Sequence, residues 1–200
     1  KNELIFQNVS MEFEKGNSYG FVGPNGCGKS VFFKTLCGYS LLTEGQVIYR
    51  GKIIGKEQDF IDDAGIVIEE PEFINSLSGL ENLKILAEIQ KKISEPEIIE
   101  VLKQFDLYED RNKKVGKYSV GMKQKLRLAQ AVMEKPQVLI LDEPMNGLDK
   151  KSVKRVEDIL KAFVENGGTL LMTSHIEQQV EACCKIVYEI DGGEILRVTD

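Results

Sequence analysis

The chain has 200 residues, enough for one domain of generous size with a proper buried core. Lys and Arg number 26 against 32 Asp and Glu, and the net charge of −6 gives no support to a nucleic-acid-binding face. No stretch approaches the roughly 18 consecutive apolar residues of a membrane span, and a single histidine, His175, argues against a His-based metal site.

The opening, KNELIFQNVS, has no long apolar region of the signal-peptide kind. YGFVG (19–23) is a short apolar run ending in Gly and suits a buried strand. From Lys29 to about Cys37 the pattern is helical, stopped by Gly38. GQVIYRGKII (45–54) suggests two short strands around a turn, and AGIVIEE (64–70) a further buried strand stopped by Pro71. From Ser78 to about Lys135 almost everything reads as helix. Leu80, Leu83, Leu86, Ala87 and Ile93 are spaced for one face, behind a Ser78/Glu81 capping box. SEPEIIEVLKQF starts another helix with a Ser cap and an early Pro. QVLILDEP is a strand apolar on both faces. A helix (151–165), a strand (169–173), a helix (176–184) and two strands (185–190 and 194–198) complete the chain. Alternating strands and helices imply a mostly parallel sheet covered on both faces, with the helical block at about 72–135 as a second lobe.

GPNGCGKS (23–30) meets the pattern G-x-x-x-x-G-K-[ST] between a strand and a helix. Glycines let backbone N–H groups curl around a phosphate, and the following helix N-terminus adds donors and a favourable dipole. Lys29 would neutralise charge between the β- and γ-phosphates, and the Ser30 hydroxyl would be a magnesium ligand. Cys27 lies beside Lys29 and a helix N-terminus, both of which favour a thiolate; the plainer reading is that any small residue fits there. The other cysteines, Cys37, Cys183 and Cys184, form no C-x-x-C pair with it, as expected of reduced thiols in a cytosolic protein. Asp142, at the end of a buried strand, can hold magnesium directly or through water. Glu143 faces another way and can orient or deprotonate an attacking water. His175, just past another apolar strand, is placed to sense or polarise a γ-phosphate, although a lone His is more often structural. Ser119 and Gly121 open an amphipathic helix and make a second anion site. Residues 23–30 already wrap one set of phosphates, so a second cap suits a partner chain's nucleotide in a head-to-tail dimer.

Taken together, the chain resembles the nucleotide-binding domain of ATP-binding cassette (ABC) transporters. GPNGCGKS matches the Walker A motif and VLILDE the Walker B motif. YSVGM stands where the family has L-S-G-G-Q. NGLD (146–149) resembles the D-loop and TSH (173–175) the segment of the switch histidine. Y-S-x-G-M-[KR]-Q together with IEEPEF resembles the bacterial ABC-2 group, ATPases for drug, peptide-antibiotic and polysaccharide export. The resemblance implies a P-loop NTPase (RecA-like) α/β core with an antiparallel β piece and an inserted helical subdomain. The core lobe would be about 1–71 and 136–200, the helical lobe about 72–135.

It also implies two cassettes sandwiching two ATP–Mg²⁺. Gly23, Pro24, Asn25, Gly26, Cys27, Gly28, Lys29, Ser30 and Val31 of one chain would hold the nucleotide, with Asp142, Glu143 and His175. Ser119 and Gly121 would come from the second cassette, a copy or a paralogue. The partners would be transmembrane permease subunits at the cytoplasmic face of the membrane, with a groove near Glu69 to Phe73 receiving one of their helices. Val120 and Met122 depart from the signature, and Glu69 stands where the family has its Q-loop glutamine; a carboxylate there could bind magnesium or position water. The family's base-stacking aromatic falls at or before Lys1, so the chain is expected to start after the domain's usual first strand, with Phe6 and Phe13 in the core. A soluble ABC-type ATPase acting on ribosomes or nucleic acid is the competing expectation; a compact cassette with no basic arm argues against it.

Overall fold

The structure, a computed structural model, describes residues 5–69 and 73–198. Strand β1 (Ser18–Val22) runs into helix α1 (Lys29–Cys37). A two-residue hairpin follows, β2 (Ile48–Tyr49) and β3 (Lys52–Ile53). Next come β4 (Ala64–Val67), α2 (Gly79–Gln90), α3 (Glu95–Gln104), a short 3₁₀ turn (Val115–Lys117) and α4 (Val120–Met133). The chain then alternates β5 (Val138–Leu141), α5 (Lys150–Glu165), β6 (Thr169–Thr173) and α6 (Glu177–Cys183), and ends on β7 (Ile186–Asp191) and β8 (Glu194–Arg197). Six strands form one sheet in the order β4-β5-β6-β1-β7-β8, parallel except where β8 turns back on β7.

Strand periodicity divides the apolar residues between two cores. Tyr19 and Phe21 point to one side, with Ile140, Leu171 and the Phe32–Phe33 pair of α1. Leu139, Leu141, Leu170 and Met172 point to the other, beneath α4, α5 and α6. Both faces are therefore covered, as a parallel sheet requires. Phe6 and Phe13 join the first core: Phe13 packs edge-on against Tyr19 at 4.9 Å, and Phe6 against Phe32 at 5.9 Å. The second core is continuous with the helical block, where Leu83, Ile98, Leu102, Phe105 and Leu126 belong to the same cluster.

Local signals explain most boundaries. Glu81 N–H donates to Ser78 Oγ at 3.2 Å, and Ser78 N–H to Glu81 Oε2 at 2.7 Å, a complete capping box. Three details differ from expectation. β4 stops at Val67 rather than continuing to 70, because Glu69 takes a left-handed backbone with φ 59°; residues 70–72 lie outside the described residues. The block at 78–135 is not helical throughout. Asp106 turns left-handed with φ 53° and the chain stays irregular to the 3₁₀ turn. The hairpin strands are only two residues each, joined through Arg50 and Gly51, both with positive φ. Among the described residues no helix is long and apolar enough to cross a membrane.

Candidate functional site

The sheet sets the site by bringing three strand ends together. β1, β5 and β6 are parallel, and β6 lies between the other two. β1 delivers the loop 23–28, β5 delivers Asp142 and Glu143, and β6 delivers Thr173 to His175.

The loop owes its path to glycine at two points. Gly23 has φ 153° with no space for a side chain, since a Cβ would come within 2.4 Å of Ile190 O. Gly28 caps α1 with φ 105°, and a Cβ there would strike Phe6 and Ile5 at under 3 Å. No side chain caps the α1 N-terminus by a hydrogen bond, so its first backbone N–H groups are left for an anion. Cys27 turns its sulfur inward: Sγ lies 2.9 Å from where a Gly23 Cβ would sit. This favours the packing role for Cys27.

Lys29 is buried, at 6% exposure, and its Nζ donates to Gly23 O (2.8 Å) and Pro24 O (3.1 Å). It also lies 3.9 Å from Glu143 Oε1. The Ser30 hydroxyl donates to Asp142 Oδ2. Asp142 Oδ1 accepts from Thr173 Oγ1 at 2.6 Å, and the Glu143 N–H donates to the same Oγ1 at 2.9 Å. His175 Nδ1 is 2.8 Å from Glu143 Oε2. Lys29, Ser30, Asp142, Glu143 and His175, distant in sequence, are thus one connected polar network.

Glu69 is not part of it. Its carboxylate is paired with Lys34, one helical turn beyond Ser30, and is largely exposed. Among the described residues no cluster of three His, Cys, Asp or Glu side chains is pre-assembled for a metal. A divalent cation at Ser30 and Asp142 would therefore take most of its ligands from phosphate and water, which suits magnesium.

Ser119 caps α4, its Oγ accepting the Met122 N–H at 3.2 Å. Val120 is exposed, and Gly121 lies against the 146–149 loop, a Cβ there falling 3.1 Å from Gly147 O. Asp149 caps α5, and the Ser152 N–H it accepts holds its carboxyl below the usual range. Two buried polar residues escaped the sequence reading. Thr173 joins Asp142 to Glu143, and Gln124 Nε2 donates to Pro144 O at 2.8 Å. Thr173 reads from sequence as a good strand former, and Gln124 as the polar side of a helix; neither pattern marks burial.

Comparison with known proteins places the chain in a family. The family described as ABC transporter matches residues 6–146. The ABC transporter ATP-binding protein YybJ of Bacillus subtilis is 37% identical over 195 residues, covering 98% of this chain and 89% of that protein. The lantibiotic transport ATP-binding protein SrtF of Streptococcus pyogenes is 34% identical, covering 96% of this chain and 82% of SrtF. The bacitracin transport ATP-binding protein BcrA of Enterococcus faecalis is 32% identical over 96% of this chain, which spans 63% of BcrA. Among solved structures, the ATP-binding cassette MJ0796, in a dimeric post-hydrolysis state with ADP and Pi, superposes with a TM-score of 0.86 at 22% identity. That alignment covers 98% of this chain and 91% of the cassette.

Proposed function

The chain belongs to the ABC transporter family as one of its ATP-hydrolysing ATP-binding proteins, and from that premise we propose that it powers an exporter. It would sit peripherally at the cytoplasmic face of the membrane, as a single cassette with a core lobe and a helical lobe divided near residues 72 and 135. Two cassettes would close head to tail on two ATP molecules and drive separate permease subunits; the contact with a permease helix expected near residues 69–73 falls mostly outside the described residues. Relatives named for lantibiotic and bacitracin transport support this direction, as does the Y-S-x-G-M form of 118–122.

The observation that carries the reading is the position of Glu143, with one carboxylate oxygen toward Lys29 and the other held by His175. The N–H groups of residues 25–30, at the loop and the α1 N-terminus, would bind the phosphates. Lys29 would exchange its loop carbonyls for phosphate oxygens, and Glu143 would take a proton from the water that attacks the γ-phosphorus. His175 would fix the direction of the Glu143 carboxylate. Ser119 and Gly121 of the second cassette would close over the γ-phosphate. Magnesium, when bound, would be held by Ser30 and Asp142 and would neutralise charge on the β- and γ-phosphates. Glu69, tied to Lys34, would act on this site only after that ion pair opens.

Hydrolysis by site variants tests the assignment. Glu143→Gln should lower kcat by about a hundredfold or more, the usual contribution of a general base, while ATP still binds. Lys29→Ala should instead weaken ATP binding itself. A Glu143→Gln protein turning over ATP at the normal rate would remove Glu143 from its role.

A further inference from the structure

We propose that Thr173 is a positioning residue for hydrolysis: its single hydroxyl fixes both acidic residues of the site, while Gln124 holds the adjoining backbone from the opposite side. The inference rests on the role given to Glu143 above. β6 ends on Thr173, which is fully buried. The register that pairs Leu141 with Met172 brings Thr173 alongside Asp142. A hydroxyl has one proton to give and lone pairs to receive, and here both are used: it donates to Asp142 Oδ1 and accepts the Glu143 N–H. The second Asp142 oxygen accepts from Ser30. The carboxylate that faces the phosphate loop is thereby held at both ends.

Glu143 needs such holding. Its φ of 48° lies in the left-handed region, which side-chain-bearing residues avoid and keep only where the surroundings over-determine it. Thr173 takes the N–H on one side. On the other, Gln124 Nε2 reaches Pro144 O at 2.8 Å and, more weakly, Glu143 O at 3.4 Å. Gln124 is 5% exposed, and its own Oε1 accepts from Arg127 Nη1 at 3.0 Å. With both flanking peptides pinned, the Glu143 side chain is directed between Lys29 and His175. Without a hydroxyl at 173, the Glu143 N–H loses its partner and Asp142 swings on Ser30 alone.

The competing account is that Thr173 merely fills space at a strand end. Thr173→Val keeps its shape and removes the hydroxyl; Thr173→Ser keeps the hydroxyl and removes a methyl. In the full-length protein, Thr173→Val should lower kcat about tenfold to a hundredfold with little change in KM, the scale of loss that a misplaced reacting group produces. Thr173→Ser should recover most of the rate. Affinity for a fluorescent ATP analogue in EDTA should be the same in wild type and both variants. The gain in that affinity on adding Mn²⁺ should shrink in Thr173→Val, because Asp142 is loosened. If Thr173→Val does not fold, Thr173→Ala against Thr173→Ser isolates the same oxygen. Equal impairment of the Val (or Ala) and Ser variants would make the residue a packing element and overturn the proposal. Normal turnover and normal Mn²⁺ response in Thr173→Val, with Glu143→Gln inactive, would overturn it while leaving the proposed function intact. A fully active Glu143→Gln would remove both.

Discussion

Four thiols share this chain, and their surroundings separate them. Burial pushes the Cys37 and Cys183 thiols up to about 12, and Cys184 well above the ordinary value. At pH 8 these three are neutral S–H groups, and a neutral thiol is a poor nucleophile. Cys27 lies in the phosphate loop and is only partly buried. Iodoacetamide at pH 8 should therefore modify Cys27 first, and the other three only after unfolding. Peptide mass spectrometry of the native protein would read this directly, and equal labelling of Cys184 and Cys27 would contradict it. The same residue shows how far sequence alone reached. The glycine spacing identified the loop, but nothing in the spacing said that the sulfur packs against Gly23. Phe6 is a parallel case. Its apolar context placed it in the core, and there it is, but its ring also abuts Gly28 of the loop, a contact that no periodicity encodes.

Among the elements, α4 is seated closely on the sheet. It lies so close to β4 that a Cβ on Gly65 would fall 2.0 Å from Ala131 O and 2.7 Å from Leu139 Cδ2. Gly65→Val must push the helix away from the sheet. Overpacking of this kind costs about 1–3 kcal/mol, a fall in Tm of roughly 2–4 °C per kcal/mol for a domain this size. Because α4 begins at the Ser119 cap, the substitution should also weaken pairing of the cassettes while leaving ATP binding by the isolated chain largely unchanged. Thermal melts with nucleotide titration would check both; an unaltered Tm would show that the helix can shift freely. Helix ends and strand positions were legible because caps, prolines and apolar runs act within a few residues. Breaks such as the left-handed Asp106 and Glu69 were not, since neither residue type announces that backbone. The Lys34–Glu69 pair was equally hidden: it joins α1 to the end of β4 across 35 residues, and charge pairing at that range depends on the finished fold.

At the scale of the whole molecule, the part of the proposed site at the start of α4 faces outward. Ser119 and Val120 are exposed at the α4 N-terminus, and the signature residues border the 146–149 loop rather than residues 23–30. On the proposed reading, a second cassette would complete each nucleotide pocket. Glu143→Gln protein should therefore sediment as a dimer with ATP and as a monomer with ADP, because only ATP offers a γ-phosphate to the facing Ser119 and Gly121. The entropic cost of association sets the concentration required. The same species with both nucleotides would count against the closed sandwich.

The strand order β5-β6-β1 has a consequence for the making of the protein. When synthesis has passed Asp142, both the phosphate loop and its acidic partner exist, but the place between their strands is empty. Only β6, completed at Thr173, can fill it, and parallel strands so far apart in sequence pair slowly. A nascent chain or a fragment ending before that point carries every residue of the loop and of the Asp142–Glu143 pair without the ladder that aligns them. ATP should give such a fragment no protection from proteolysis, and in refolding the capacity to bind nucleotide should arise only as β6 slots into the sheet.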